Sequence, residues 1–385
     1  MKGLSMNLLL DIARGVAALL VFLFHIRDTF SESMPGVAQV VRFGSLGVPL
    51  FFVISGYVIS ASAESTLRGA RTAGSFLKRR ALRIFPPFWL SILVVVAVPY
   101  LVAALSSLKS GVFESPDPRF LAWGGLDWLE VVTLVKVFGT PDGDLQAAFN
   151  PLNSVYWTLA IEFQFYLCMY LALLVRRHFH AVIGLVTAFS LVLLAWPLPV
   201  DPGWFIHYWP MFAMGIGLQY VLAAGWGVDR FLPRAGQAGA AVLAGCVLLW
   251  GGVLAHRGSL GQVLAGLFPS VELGFAVICA TLLWLAAPWG SLLEAHKDGG
   301  HPLLRWTLRP AAYLGVISYS VYLLHGKLVQ LPFMVVRQVL HPSNALNPLA
   351  GIFLTLALCA VFHAWAERPF MSSRQRALND RVLEG

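Results

Sequence analysis

The sequence predicts an all-α, polytopic transmembrane helix bundle of about ten spans, and three observations carry that prediction. Hydrophobic residues make up 58% of the 385 positions and charged residues only 12%, where a soluble domain is roughly a quarter charged. The mean hydropathy is +0.73. The apolar residues also fall in long blocks rather than short alternating runs, and a block of about 20 apolar residues matches the hydrocarbon thickness when helical.

Ten blocks run over residues 6–26, 44–62, 86–106, 152–175, 179–196, 204–223, 237–255, 269–287, 311–331 and 345–366. The first follows Lys2 and resembles a signal peptide at a glance. Asp11 and Arg14 interrupt it and no small-residue cleavage motif follows, so it reads as a retained span. An even count puts both termini on one side. With both inside, the inner loops hold Lys2, the basic run from Arg68 to Arg83, Arg176, Arg177, Arg230, Arg234, Lys297, Arg305, Arg309 and the arginines of the tail. These are most of the 27 lysines and arginines, the positive-inside pattern of an N-in, C-in protein. Topology is the first explanation of the net charge of +8, with an anionic ligand as a second contribution. The expected partner is the lipid bilayer and not nucleic acid.

Residues 1–370 are expected to form one membrane-embedded domain, with 371–385 as a short cytoplasmic tail. The longest outer segment, 107–150, has an apolar centre from Trp128 to Phe138 that is too short to span. It reads as an interfacial or re-entrant piece, a candidate lid over an outer-facing site. Cys168, Cys246, Cys279 and Cys359 lie in apolar blocks without a CxxC pair and read as small buried hydrophobes. No metal site is expected.

Ionisable side chains inside a span are costly and mark either function or a paired structural contact. In the first span Arg14 and His25 are eleven residues apart. That spacing is three turns plus about 20°, which puts both on one face about 16 Å apart along the axis. Asp11, three residues before Arg14, can pair with it. The structural alternative is an ion pair plus an interfacial histidine. In the second span Ser55-Gly56 is a polar notch, equally readable as helix packing. Next come Lys78, Arg79, Arg80 and Arg83, followed by Pro86 and Pro87 at the expected start of the third span. Topology accounts for part of this cluster. Four cations in six residues also suit a phosphate-bearing ligand, which arginine grips in a bidentate manner.

In the fourth span Thr158, Glu162 and Tyr166 recur every four residues and form one polar stripe beginning beside Trp157. Glu162 lies near mid-membrane, where a carboxylate must be protonated, paired or facing a wet cavity. In the ninth span Ser318, Tyr322 and His325 share a face, with His325 toward the outer end like His25. Glu272 is read as a further buried carboxylate in the eighth span. Glu367-Arg368-Pro369 closes the last span and reads as structural.

Taken in order, these elements resemble the acyltransferase 3 family, of the O-antigen and exopolysaccharide O-acetylase type. The resemblance rests on Asp11-x-x-Arg14-Gly15 with His25, FFVISGY at 51–57, Arg80-Ala-Leu-Arg83-Ile-Phe-Pro86, YWTLAIEFQFY at 156–166, LGVISYSVYLLH at 314–325 and the closing ERPF. It spans nearly the whole chain. Two departures are mild: the family often has Ser at the place of Thr158 and Phe at that of Tyr57.

The resemblance implies transfer of an acyl group, most commonly acetyl, from cytoplasmic acyl-coenzyme A to a hydroxyl of a carbohydrate or related acceptor in the bacterial inner membrane. It implies that Arg14 and His25 are essential and that Arg80 and Arg83 serve the donor. The residues' own chemistry agrees. A histidine takes a proton from a hydroxyl near neutral pH, and a basic inner cluster suits the phosphates of acetyl-coenzyme A. The expected catalytic set is His25, Arg14, Glu162 and Asp11. The expected donor-binding set is Arg80, Arg83, Arg79 and Lys78. Ser55, Tyr322, His325 and Trp157 are expected to touch substrate. The rival reading is a proton-coupled transporter, or an exporter of a sugar or acyl compound, using the same intramembrane charges as a relay.

Overall fold

The computed structural model describes residues 2–31, 34–69, 71–112, 115–138, 145–196, 203–232, 238–242, 244–245, 271–290, 302–339, 346–373, 376–377 and 379. Every regular element among them is helical. In chain order the α-helices are α1 (Lys2–His25), α2 (Pro35–Val41), α3 (Gly47–Arg68), α4 (Ala73–Ser110), α5 (Gly125–Val132), α6 (Leu145–Phe149), α7 (Trp157–Leu174) and α8 (Phe179–Ala195). They continue with α9 (Trp209–Ala223), α10 (Val271–Ala286), α11 (Pro302–Val316), α12 (Ser318–Leu328), α13 (Gln330–Val339) and α14 (Leu346–Phe362).

Seven helical stretches among the described residues are long and apolar enough to cross a membrane. They fall on the first five expected spans, the eighth and the tenth. The sixth appears as the shorter apolar α9. The ninth is two helices, α11 and α12, broken at Ile317. The seventh, at 237–255, lies largely outside the described residues. The chain is an integral membrane protein.

Its packing follows the logic of a bundle in lipid. Large apolar side chains such as Leu93, Leu185 and Phe353 face outward, while Ser60, Ser91, Thr158 and His325 are buried inside. Two crossings bring helix backbones together. A Cβ on Gly315 of α11 would overlap the Asp11 carbonyl of α1, and one on Gly215 of α9 would overlap the Val53 carbonyl of α3. Glycine at these points permits the approach. Helix α1 thereby sits between α3, α11 and α12, while α4 and α7 close the ring around the centre.

Two expectations are corrected. The third span starts at Ala73, not at Pro86, because Thr72 caps the helix by accepting from the Ser75 N–H at 3.2 Å. The prolines at 86 and 87 then lie inside α4, and the Tyr319 hydroxyl donates to Ile84 O in the adjoining turn. The basic cluster is therefore part of the helix rather than a loop before it. Glu272, in turn, is exposed in the first turn of α10 and not buried in mid-span. The last span ends in a π-helical turn, His363–Glu367, that aims Glu367 inward. There it accepts from Ser320 Oγ at 2.6 Å and lies 2.8 Å from His363 Nδ1.

The segment before α7 carries α5, an eight-residue helix too short to span. Leu126 and Leu129 are exposed on it, Lys136 pairs with Asp127 at 2.7 Å and Glu130 at 3.0 Å, and Trp89 of α4 donates to Val132 O. Its length agrees with the expectation of a piece too short to span.

Candidate active site

Five helices build a small cavity of about 80 Å³ at the centre of the bundle. Helix α1 brings Arg14, α3 brings Ser55, α4 brings Arg80 and Arg83, α7 brings Thr158, Glu162 and Tyr166, and α12 brings Ser318 and Tyr322. The three-residue polar stripe on α7 is thus real and faces inward. Glu162 Oε1 accepts from Ser55 Oγ at 2.9 Å and from the Tyr166 hydroxyl at 2.6 Å. Arg80 lies 5.8 Å over the Tyr166 ring, a cation–π contact. Arg14 Nη1 donates to Asp11 Oδ1 at 3.2 Å. Asp11 itself does not line the cavity; it stands behind Arg14. Three guanidinium groups meet one carboxylate here, so the cavity favours an anion, and the low-dielectric surroundings strengthen that preference.

The other members of the basic cluster stay outside. Lys78 is exposed, and Arg79 donates to Ser75 Oγ at 3.2 Å. Neither lines the cavity.

A second cavity of about 450 Å³ lies toward the other end of α1. Its polar lining comes from His25, Ser45, Gln146, Ser154, Trp157, His207, Tyr208 and Glu272. Gln146 belongs to the long segment expected to act as a lid. Trp157 packs on Tyr208 with ring centroids 5.4 Å apart. Glu272 carries the one formal charge among the described residues of this lining. The size and mixed aromatic and polar character suit a small hydroxylated ligand.

The two cavities share a wall formed by Val48, Phe52, Thr158 and Tyr322. The Tyr322 hydroxyl hydrogen-bonds to both Thr158 Oγ1 and Val155 O. Arg14 and His25, on one face of α1 as expected, therefore serve separate chambers on either side of this wall. His325 lines neither chamber. It is fully buried, and its Nε2 lies 3.3 Å from His25 Nδ1.

Sequence reasoning missed the contact between the two histidines, which are 300 positions apart. It also missed Tyr319, Gln146, His207 and Tyr208. A usable signal existed for the last two: His207-Tyr208-Trp209-Pro210 is a polar aromatic run at the start of an apolar helix.

Comparison with known proteins adds an independent line. A family profile described as an acyltransferase domain, of the acyltransferase 3 type, matches residues 7–364. The chain is 25% identical to the acyltransferase MdmB of Streptomyces mycarofaciens, over 93% of this chain and 90% of that protein. It is 28% identical to a Komagataeibacter xylinus protein named as a membrane-bound transacylase, BcsY, over 82% of this chain and 71% of that protein. Nodulation protein 10 of Rhizobium leguminosarum bv. viciae is 28% identical over 38% of each chain. No solved structure matches the chain. The match runs through all the helices that build both chambers, and the transporter alternative gives way to transfer chemistry: the chain belongs to the acyltransferase 3 family of membrane acyltransferases.

Proposed function

We propose that the protein moves an acyl group, most simply acetyl, from acyl-coenzyme A on the cytoplasmic side of a bacterial inner membrane to a hydroxyl of a carbohydrate or related acceptor on the other side. The observation that carries this reading is the common wall, Tyr322 and Thr158 above all, between an arginine-lined chamber and one that holds His25. A cavity of about 80 Å³ is too small for a nucleotide. It suits a thin acyl-bearing arm, with the donor's phosphates at the arginine end. Arg80 and Arg83 bind at the mouth, with Arg79 and Lys78 on the approach, and Arg14 deeper, held in place by Asp11.

The reaction is an acyl exchange between sulfur and oxygen. His25 takes the proton from the acceptor hydroxyl as its oxygen attacks the thioester carbonyl carbon. The carbonyl π electrons move to oxygen, and the guanidinium-lined donor chamber favours the developing negative charge. Collapse breaks the carbon–sulfur bond. The thiolate leaves and receives the proton from the His25 imidazolium. Glu162, bonded to Ser55 and Tyr166, fixes the polar wall of the donor side.

The test uses purified protein with radiolabelled acetyl-coenzyme A and a carbohydrate extract of the cell envelope. The expected result is release of the coenzyme A thiol with label on the extract, both lost in His25→Ala at equal expression. Full turnover by His25→Ala would overturn the assignment of the base.

A further inference from the structure

Fully buried His325 sits on α12, one helical turn on from Tyr322, and lines neither chamber. Its Nδ1 lies 3.0 Å from Val321 O and 2.9 Å from Tyr322 O. A carbonyl oxygen only accepts, so Nδ1 carries the hydrogen, and in the neutral ring Nε2 keeps its lone pair. That lone pair faces His25 Nδ1 at 3.3 Å. His25 Nδ1 also lies 2.8 Å from Val21 O, again an acceptor. Both neighbours of this nitrogen accept, so it must be the one that bears the hydrogen.

The consequence reaches the chamber. With the hydrogen on Nδ1, the bare nitrogen of His25 is Nε2, which has no hydrogen-bond partner among the described residues while the ring itself lines the 450 Å³ cavity. We propose that His325 is the positioning residue of the reaction: its Nε2 fixes the tautomer and ring plane of His25, so that the His25 Nε2 lone pair is presented to the acceptor hydroxyl. The inference rests on the reading of His25 as the base.

The ring of His325 is itself well held. Phe22 meets it edge-on at 6.2 Å, the Tyr322 ring lies 5.9 Å away, and the two imidazoles cross at 74° with centroids 4.9 Å apart. When His25 takes a proton at Nε2, its Nδ1–H still donates to His325 and Val21, and the positive charge spread over the ring strengthens both bonds. His325 thus fills, as a neutral acceptor, the place that a carboxylate holds behind the histidine of a hydrolase triad. The proton returns from His25 Nε2 to the leaving thiolate, and His325 gains and loses none.

Two measurements test this separately from the base assignment. In the first, nitrogen NMR of histidine-labelled wild-type protein in nanodiscs, assigned with His25→Gln and His325→Gln, reads which His25 nitrogen is protonated. Hydrogen on Nδ1 is expected; hydrogen on Nε2 overturns the proposal whatever the activity. In the second, acetyl transfer from acetyl-coenzyme A is compared in His325→Gln and His325→Leu. The leucine variant should lose kcat on the order of 100-fold, with KM for acetyl-coenzyme A within twofold. The glutamine variant, whose amide oxygen can accept from His25, should recover a large part of that loss. Equal activity of both variants, or a leucine variant as fast as wild type, contradicts the role. Failure of the base reading is distinct: His25→Ala would then keep its activity.

Discussion

Arg14, Arg80 and Arg83 share one small chamber with a single lining carboxylate, Glu162, whereas His25 opens onto another chamber altogether. Donor binding and proton transfer should therefore separate cleanly in kinetics. Arg80→Gln or Arg83→Gln should raise KM for acetyl-coenzyme A by about 10- to 100-fold, the worth of one charged hydrogen bond, and change kcat little. Tyr322→Phe removes the hydroxyl that ties the shared wall to Thr158 and Val155 and should do the reverse, lowering kcat by about 100-fold at constant KM. Steady-state kinetics with varied acetyl-coenzyme A checks both. These residues were legible in the sequence because charge and hydroxyl stripes are expensive inside apolar spans. What each one touches was not legible. The pairing of His25 with His325 depends on how α1 and α12 are rotated against each other, which no local pattern encodes. Glu272 was misread because its depth depends on a span limit, and the first turn of α10 leaves it exposed.

Among the elements, α1 and α11 are set by a glycine contact rather than by side-chain interlocking. Gly315→Ala drives a Cβ into the Asp11 carbonyl, beside the pair that holds Arg14. Overpacking of this kind costs about 1–3 kcal/mol. A lower thermal unfolding midpoint in detergent is expected, with a raised KM for acetyl-coenzyme A because Arg14 moves with α1. Helix α5 gives a pH prediction. The Lys136 ammonium and the Gly124 N–H, bonded to Asp127, hold its carboxyl below the ordinary aspartate range. A carboxyl lowered on folding contributes order above its unfolded value, near about 3.9, and loses it as pH falls through the lowered value. Hydrogen exchange in α5 should stay slow from neutral pH down to about pH 4 and rise only below that. Asp127→Asn should exchange fast throughout. The element boundaries explain the main misreading of the fold. Paired prolines signal a helix start, but the cap at Thr72 starts α4 a full thirteen residues earlier and the helix runs through them.

At the scale of the whole molecule, the sequence was most readable where the bilayer dictates the answer. Apolar blocks of span length predicted helices, and seven described stretches have that length and composition. The division of the interior into two chambers was not readable, since it arises where α1, α3, α7 and α12 meet and only Val48, Phe52, Thr158 and Tyr322 separate them. On that division rests the proposal of a donor on one side of the membrane and an acceptor on the other. It is tested most directly in sealed proteoliposomes given impermeant labelled acetyl-coenzyme A outside only, with envelope carbohydrate either trapped inside or added outside. The account predicts label on the trapped carbohydrate and none on the external one, in wild type and not in His25→Ala. Label on the external carbohydrate with none on the trapped would contradict it.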